Sequence, residues 1–363
     1  LDEQERRVGD CVSYRDNRVD GMPERAFRIL AKEKVYQKTG IQFQKFNTLY
    51  QLLALQAMQP EELAAAAHFL MIPDYLHYRL TGRITNEYTN ASTTQMVNAA
   101  GQVWDEDILA AFGLPRRIFK DFTPVGEVIG GLTEVVKKAA GLEPGQDILV
   151  LEGATHDTAS AFAGARQKDG LILSSGTWSL LGKIVNTPVV TETAQKYNFT
   201  NEGYPGGRYR LLKNIMGLWM IQEVRRGYEN RYSFAQLAEM AGQCKQKPPL
   251  VDVNDDRFLH PDSMIEAIRQ YCRESGQAVP ETVAEIANTV YHSLAFSYKK
   301  AVKELESITG ETYAAINIVG GGCRNEYLNR LTAQYTGKEI VTGPDEATVA
   351  GNILLQIKAQ EKN

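Results

Sequence analysis

Thr155, His156, Asp157 and Thr158 follow a short apolar run, Ile148 to Leu151, through Gly153 and into the small-residue segment THDTASAFAGA. In open α/β sheets ligands bind beyond the carboxyl ends of strands, so a carboxylate at this junction is placed for chemistry. Two readings of Asp157 stand side by side. It is a helix cap, or it is a general base, because an alcohol attacks phosphorus poorly until a positioned carboxylate accepts its proton. Three roles are open to His156: metal ligand, substrate donor or satisfied core histidine. With no Cys or second His nearby at ligand spacing, the metal role is the weakest.

Three further segments carry chemistry-bearing residues. SSGTWS, Ser174 to Ser179, sets a Gly turn between two apolar strands; it is either a plain hairpin turn or a phosphate cradle built from backbone N–H groups and the Thr177 hydroxyl. Gly320, Gly321 and Gly322 lie between a strand and a helix, where backbone can approach a nucleotide closely. They form neither a P-loop nor a dinucleotide fingerprint. In KNIMGLWMIQ a strand end passes into a helix, and Asn214 and Gln222, eight residues apart, are about two turns from each other and so can share a face. They are ligand contacts, or simply the polar rim of a core face made by Leu218, Trp219 and Ile221.

The elements that position these residues follow from periodicity. Pro23 to Lys38 is expected as one helix ended by Gly40. Thr48 to Met58 is a second, apolar at Leu49, Leu52, Leu53 and Ala57 and stopped by Pro60; Glu61 to Ala67 starts another. PDYLHYRLTG reads as a helix opened by Pro73 and closed by Gly82, WDEDILAAFG as a short helix, and TEVVKKAAG as a helix capped by Thr133. Ile148 to Leu151 is expected as a buried strand, and the Ala and Gly residues after it as a helix packed closely on a sheet. A polar link, Gln167 to Gly170, separates that helix from the strands of LILSSGTWSLLGKIV, placing a boundary there. Beyond it lie a polar insertion from Lys245 to Pro261, a long helix from about Thr282 to Thr309, and a closing strand, Gly-rich loop, helix, strand and helix. This alternation argues for an α/β fold.

At 363 residues the chain suits two domains, and 43% hydrophobic with 23% charged residues is an ordinary globular composition. Forty basic against 44 acidic residues, with no basic stripe, exclude nucleic acid as a partner. No apolar stretch approaches the ~18 residues that span a bilayer, and LDEQERRVGD lacks the basic head and apolar middle of a signal peptide. A cytoplasmic protein with no membrane partner is the expectation. Cys11, Cys244, Cys272 and Cys323 are dispersed and read as reduced and structural.

Taken in order, PDYLHYRLTG, TNASTTQM, VGEVIGGLTEVVKKAAGLEPG, THDTASA, SSGTWSLLG, VGGGCRNEYLN and PDEATVAGN resemble the FGGY carbohydrate kinases over nearly the whole chain. The resemblance implies a two-domain, actin-like ATPase fold, related to hexokinase and the heat-shock ATPases, with the active site in the interdomain cleft. It implies a sugar-binding domain over residues 1–166 and a nucleotide-binding domain over 167–363. Asp157 matches the catalytic base, His156 and Thr158 its substrate-facing neighbours, and Asn214 a sugar contact. Thr177 matches a phosphate loop, Gln222 a nucleotide contact and Gly321 the adenosine loop. ATP and Mg2+ are implied, with metal ligands unassigned. YRDNR, GIQFQKFNTLYQL, LLKNIMGLWMIQ and NDDRFLHPDSM resemble the branch acting on L-rhamnulose, which implies transfer to its 1-hydroxyl; L-fuculose or D-xylulose as substrate, or binding without transfer, are the rival expectations. The family's opening strand and D-x-G-x-x-x-R phosphate loop are not found in residues 1–20, and the tail ends soon after the adenosine motif, so the sequence reads as most of a family member.

Overall fold

Ala26 and the pair Val35 and Tyr36 lie nine to ten residues apart, about two and a half turns, so one straight helix would turn them to different sides. In a computed structural model of the chain, which describes residues 1–14, 16–166 and 170–361, all three are buried. The chain meets that demand by breaking. The expected single helix is two, Met22–Ile29 and Lys32–Thr39, separated at Leu30, whose backbone is extended (φ −136°, ψ 123°). The second ends on Gly40 in the left-handed region (φ 64°), and Tyr36 donates its hydroxyl proton to the Phe199 carbonyl at 2.7 Å.

The chain divides into two compact units. The first comprises Leu1–Ser160, Ile184–Leu211 and the residues from Asn352 on; the second comprises Ala161–Lys183 and Leu212–Gly351. The core of the first unit gathers around the helix Thr48–Met58, which buries Leu49, Leu52 and Leu53, and around Trp104. The Trp104 ring lies 4.7 Å from Phe119 and 4.9 Å from Phe122, and its indole N–H donates to the Lys120 carbonyl, so its one polar atom is satisfied on burial. Ile72–Thr81 forms as expected and closes on Gly82 (φ 70°), and Thr133 caps Glu134–Ala139 by accepting from the Val136 N–H. Leu149–Leu151 is a strand, but not the buried one expected. It pairs antiparallel with Val128–Gly131, and Leu149 remains 59% exposed because no element of the described chain covers that side.

The second unit is built on a sheet. Five of its six strands have residues in the second unit and run in the order Glu339–Thr342, Ala315–Val319, Leu171–Ser175, Trp178–Val185 and Arg208–Met216, the last two extending into residues of the first unit. The first three are parallel and the Ser-Gly turn makes the fourth antiparallel. Helix Val283–Thr309, with the capping box of Thr282 and Glu285, packs against Phe234–Gln243 and Glu326–Thr336. The polar insertion is largely loop around the short turn Asp256–Phe258, yet it buries Val251, Val253 and Phe258. Gly164, in the small-residue helix Asp157–Gly164, faces a helix and not a sheet: a Cβ there would lie 2.4 Å from the Ala347 carbonyl oxygen at the start of Ala347–Gln360. The expected boundary at Gln167 to Gly170 falls mostly outside the described residues.

Candidate functional site

His156 accepts the Ala159 and Ser160 backbone N–H groups through its carbonyl, so it occupies the cap position and Asp157 is the first helical residue. Asp157 Oδ1 accepts from the Thr158 backbone N–H at 2.6 Å and from the Thr158 hydroxyl at 3.2 Å, and lies 3.2 Å from His156 Nδ1. The Thr158 N–H also lies 3.2 Å from Nδ1. Its one proton is shared between the two acceptors, with the shorter contact to Asp157. The hydrogen bond with His156 holds the Asp157 carboxyl well below the usual carboxylate range, against the opposing effect of burial and aided by the charge of His156 and the Thr158 donors. A helix N-terminus favours the same ionised form. The carboxylate side chain is nonetheless 80% exposed, so an ionised, anchored oxygen pair is open to a ligand.

The loop before His156 is fixed from below by a carboxylate that the sequence reading missed. Glu87, fully buried, accepts from Thr155 N (3.1 Å) and Thr155 Oγ1 (2.7 Å) as well as from Thr89 and Asn90. Burial pushes its carboxyl above the ordinary value in spite of these donors. Thr89 Oγ1 in turn accepts the His156 N–H at 3.3 Å. Also missed are Glu202 and Arg210, on the strands Thr200–Tyr204 and Arg208–Met216. The Arg210 guanidinium is fully buried; burial lowers its pKa and the charge of Glu202 opposes that shift. The signal was present in TNEGYPGGRYR, where Gly206 and Gly207, both at positive φ, turn the chain between two segments whose polar residues do not alternate outward. All five residues of Thr200–Tyr204 are buried.

In the second unit, Gln222 and Gly321 line one cavity of about 730 Å³, together with Leu218, Phe234, Tyr327 and Arg330. Its size and mixed apolar and polar wall are those of a small-molecule site. Thr177 is exposed at the tip of the Ser-Gly turn. That turn is docked on the start of helix Trp219–Gly227: Gly217 N and Trp219 N donate to the Thr177 carbonyl at 3.2 Å, and Leu218 N donates to that of Gly176 at 2.8 Å. It also abuts the triple glycine, since a Cβ on Gly320 would lie 3.0 Å, and one on Gly322 2.9 Å, from the Ser175 carbonyl oxygen. Asn214 does not share a helix face with Gln222, as its spacing suggested. It is a half-buried residue of strand Arg208–Met216, and the strand ends before the helix begins. So Thr177, Gln222 and Gly321 belong to one constellation, and His156, Asp157 and Thr158 to another in the first unit.

Two halves of one family match this chain in order: the N-terminal domain of the FGGY family of carbohydrate kinases over residues 1–164 and its C-terminal domain over 171–360. A rhamnulokinase of Oceanobacillus iheyensis is 48% identical over 99% of this chain and 76% of its own length. One from Halalkalibacterium halodurans is 50% identical over 98% of this chain and 75% of its own length. Among solved structures, a ligand-bound xylulose kinase from Lactobacillus acidophilus superposes with a TM-score of 0.78 at 18% identity, covering 100% of this chain and 73% of that one. Plasmodium falciparum glycerol kinase with ADP gives 0.73 at 16% identity, over 98% and 71%. The fold, shared with sugar and glycerol kinases, and the two matched halves leave one conclusion: the chain belongs to the FGGY family of carbohydrate kinases.

Proposed function

We propose that this sugar kinase transfers the γ-phosphoryl group of ATP to the 1-hydroxyl of L-rhamnulose, a cytoplasmic step giving L-rhamnulose 1-phosphate and ADP. The observation that carries the reading is Asp157, an exposed carboxylate kept ionised and directed by its helix N-terminus, His156 and Thr158. The rhamnulokinases that match almost all of the chain support the choice of sugar.

In this reading the sugar oxygen forms a bond to the γ-phosphorus as the bond from that phosphorus to the β–γ bridging oxygen breaks. The hydroxyl proton goes to Asp157. Positioning and charge stabilisation supply most of the acceleration in such transfers, because the transition state is loose. His156, Thr158 and Asn214 present donors and acceptors to a polyhydroxylated ketose. A site built for particular hydroxyls penalises a misplaced one by leaving its own groups unpaired. Thr177 and its turn receive phosphate oxygens, while Gln222 and Gly321 border the cavity we assign to the nucleotide. Sugar recognition is accordingly placed chiefly in residues 1–166 and nucleotide binding in 167–363. Magnesium is commonly held by one or two carboxylates plus substrate phosphates. Among the described residues no group of three His, Cys, Asp or Glu side chains is arranged to hold a metal ion; an ion carried in on ATP would offset charge on its phosphates. No helix among the described residues is long and apolar enough to cross a membrane.

The test is a coupled ADP-release assay on L-rhamnulose, L-fuculose and D-xylulose at matched concentration, with Asp157→Asn alongside. L-Rhamnulose should give the highest kcat/KM, and the variant should lose about 10²- to 10⁴-fold in turnover while still binding ATP. Preference for another ketose would refute the sugar assignment; near-normal turnover of Asp157→Asn would refute the base.

A further inference from the structure

Behind His156 stands a buried ion pair that the transfer chemistry described above does not use. Arg210 is 0% exposed, and the Glu202 side chain is 5% exposed. Their charged atoms approach to 3.1 Å, from Arg210 Nη2 to Glu202 Oε2, while Arg210 Nε donates to the Gly203 carbonyl at 3.0 Å. A buried pair serving only the hairpin would be replaceable by apolar side chains of similar volume, often at no loss. Here each ion also reaches the same imidazole. Glu202 Oε2 is 3.6 Å from His156 Nε2, and Arg210 Nη1 is 3.5 Å from His156 Nδ1.

The geometry of the unsatisfied atoms points the same way. Glu202 Oε2 and Arg210 Nη2 are both buried without a well-aligned hydrogen bond, so their attraction is one of charge and not a locked bidentate fork. Glu202 Oε2 therefore keeps capacity for the ring nitrogen facing it at 3.6 Å, His156 Nε2. On the other edge of the ring, Nδ1 is met by the Thr158 N–H at 3.2 Å, by Arg210 Nη1 at 3.5 Å and by Asp157 Oδ1 at 3.2 Å. The ring is thus flanked by carboxylates at both nitrogens, Asp157 outside and Glu202 inside, with Arg210 beside it.

We propose that Glu202 and Arg210 are positioning residues for phosphoryl transfer, holding the His156 imidazole so that its Nδ1 edge stays on Asp157 Oδ1. The inference rests on the reading of Asp157 as the base. A run of close polar contacts from a buried pair, past a ring, to an exposed carboxylate gives that carboxylate a fixed direction without adding a protein group at the reacting atoms. Carboxylates that orient a histidine in this way are a general means of fixing its ring.

The test is a double-mutant cycle on sugar-dependent turnover with Glu202→Gln, His156→Ala and the two combined, using the preferred ketose of the panel above. Glu202→Gln should lower kcat about tenfold or more with the KM for ATP unchanged, and in the His156→Ala background it should cost no more than about a further twofold, because its effect travels through the ring. Losses that multiply would overturn the inference, as would an unchanged kcat. Glu202→Asp guards against misfolding: it keeps a negative charge in the pocket of Arg210 but draws the oxygen back from Nε2 by about a methylene, and should also lower kcat, so parental turnover in this variant overturns the inference too. An Asp157→Asn arm separates the two levels. If that variant turns over normally, the base reading and the positioning inference fall together; if it is inactive while the Glu202 and His156 losses multiply, the inference falls alone.

Discussion

Replacing Gly321 by Ala should separate ligand fit from folding. Gly321 is exposed, its φ is not positive, and a Cβ built on it meets no atom within 4 Å. The protein itself therefore has room for the methyl group. An alanine in a permitted conformation is neutral or slightly stabilising, by about 0.4–1 kcal/mol through the unfolded chain. Yet Gly321 lines the 730 Å³ cavity, so the open space beside it is where the proposed nucleotide would lie. A methyl group there should push the ligand from the backbone and weaken ADP and ATP binding at least about tenfold, or ~1.4 kcal/mol. Gly322→Ala supplies the contrast. Its Cβ would lie within 2.1 Å of Ser175 Oγ and 2.9 Å of the Ser175 carbonyl oxygen, and Ser175 is buried in the sheet. Overpacking of this kind costs about 1–3 kcal/mol and should lower the melting temperature by a few degrees. Calorimetric titration with ADP and thermal melts of the three proteins test the pair. Parental ADP affinity in a fully folded Gly321→Ala protein would falsify the placement of the nucleotide against this loop.

Gly217→Ala should destabilise the protein by about 1–3 kcal/mol in thermal or denaturant unfolding, since its Cβ would lie 2.6 Å from the Gly176 carbonyl oxygen and from the Trp178 carbonyl carbon, neither of which is a flexible side-chain end; a parental midpoint would show that the turn and the helix are not held this closely. His156→Ala should move the acid limb of the pH profile of kcat/KM upward, toward the usual carboxylate range, because it removes the main influence that keeps Asp157 ionised; an unmoved or lowered limb refutes this. Burial pushes the Asp74 carboxyl up to about 7 from an ordinary 3.8, so between those values the folded state keeps a proton that the unfolded state has lost, and this group's contribution to stability falls as pH rises. Relative to Asp74→Asn, the parent should lose up to about 4 kcal/mol from pH 4 to 7; a parent that gains on the variant across that window contradicts the assignment.

Local signals proved sufficient where a residue's partner is close in sequence. Gly40 and Gly82 end helices in the left-handed region, Thr133 and Thr282 cap them, and Val283–Thr309 emerges nearly as its periodicity predicts. The failures share a cause. The break at Leu30 is dictated by what Ala26 and Tyr36 must each bury, and the exposure of Leu149 by what does not pack on it. Asn214 and Gln222 were separated by eight positions but by no helix, because a spacing argument holds only when a single element contains both residues.

The same distinction divides the candidate site. A strand-to-helix junction with a carboxylate on its first helical residue is visible in THDTASA, because the junction is continuous chain. The groups that give the carboxylate its setting are not. Glu87 fixes Thr155 from 68 positions away and Arg210 meets His156 from 54, and in sequence each resembles an ordinary surface charge. Only burial separates them from solvated neighbours such as Arg208. An isolated buried Glu or Arg is too costly to persist without a partner, so a fully buried charge in a folded chain always identifies a second residue to be found. Glu87 leads to Thr155 and Thr89, and Arg210 leads to Glu202; both trails converge on His156, whose ring and backbone connect them to Asp157. The chemistry of the junction therefore depends on buried residues that no substitution scan confined to the motif would reach.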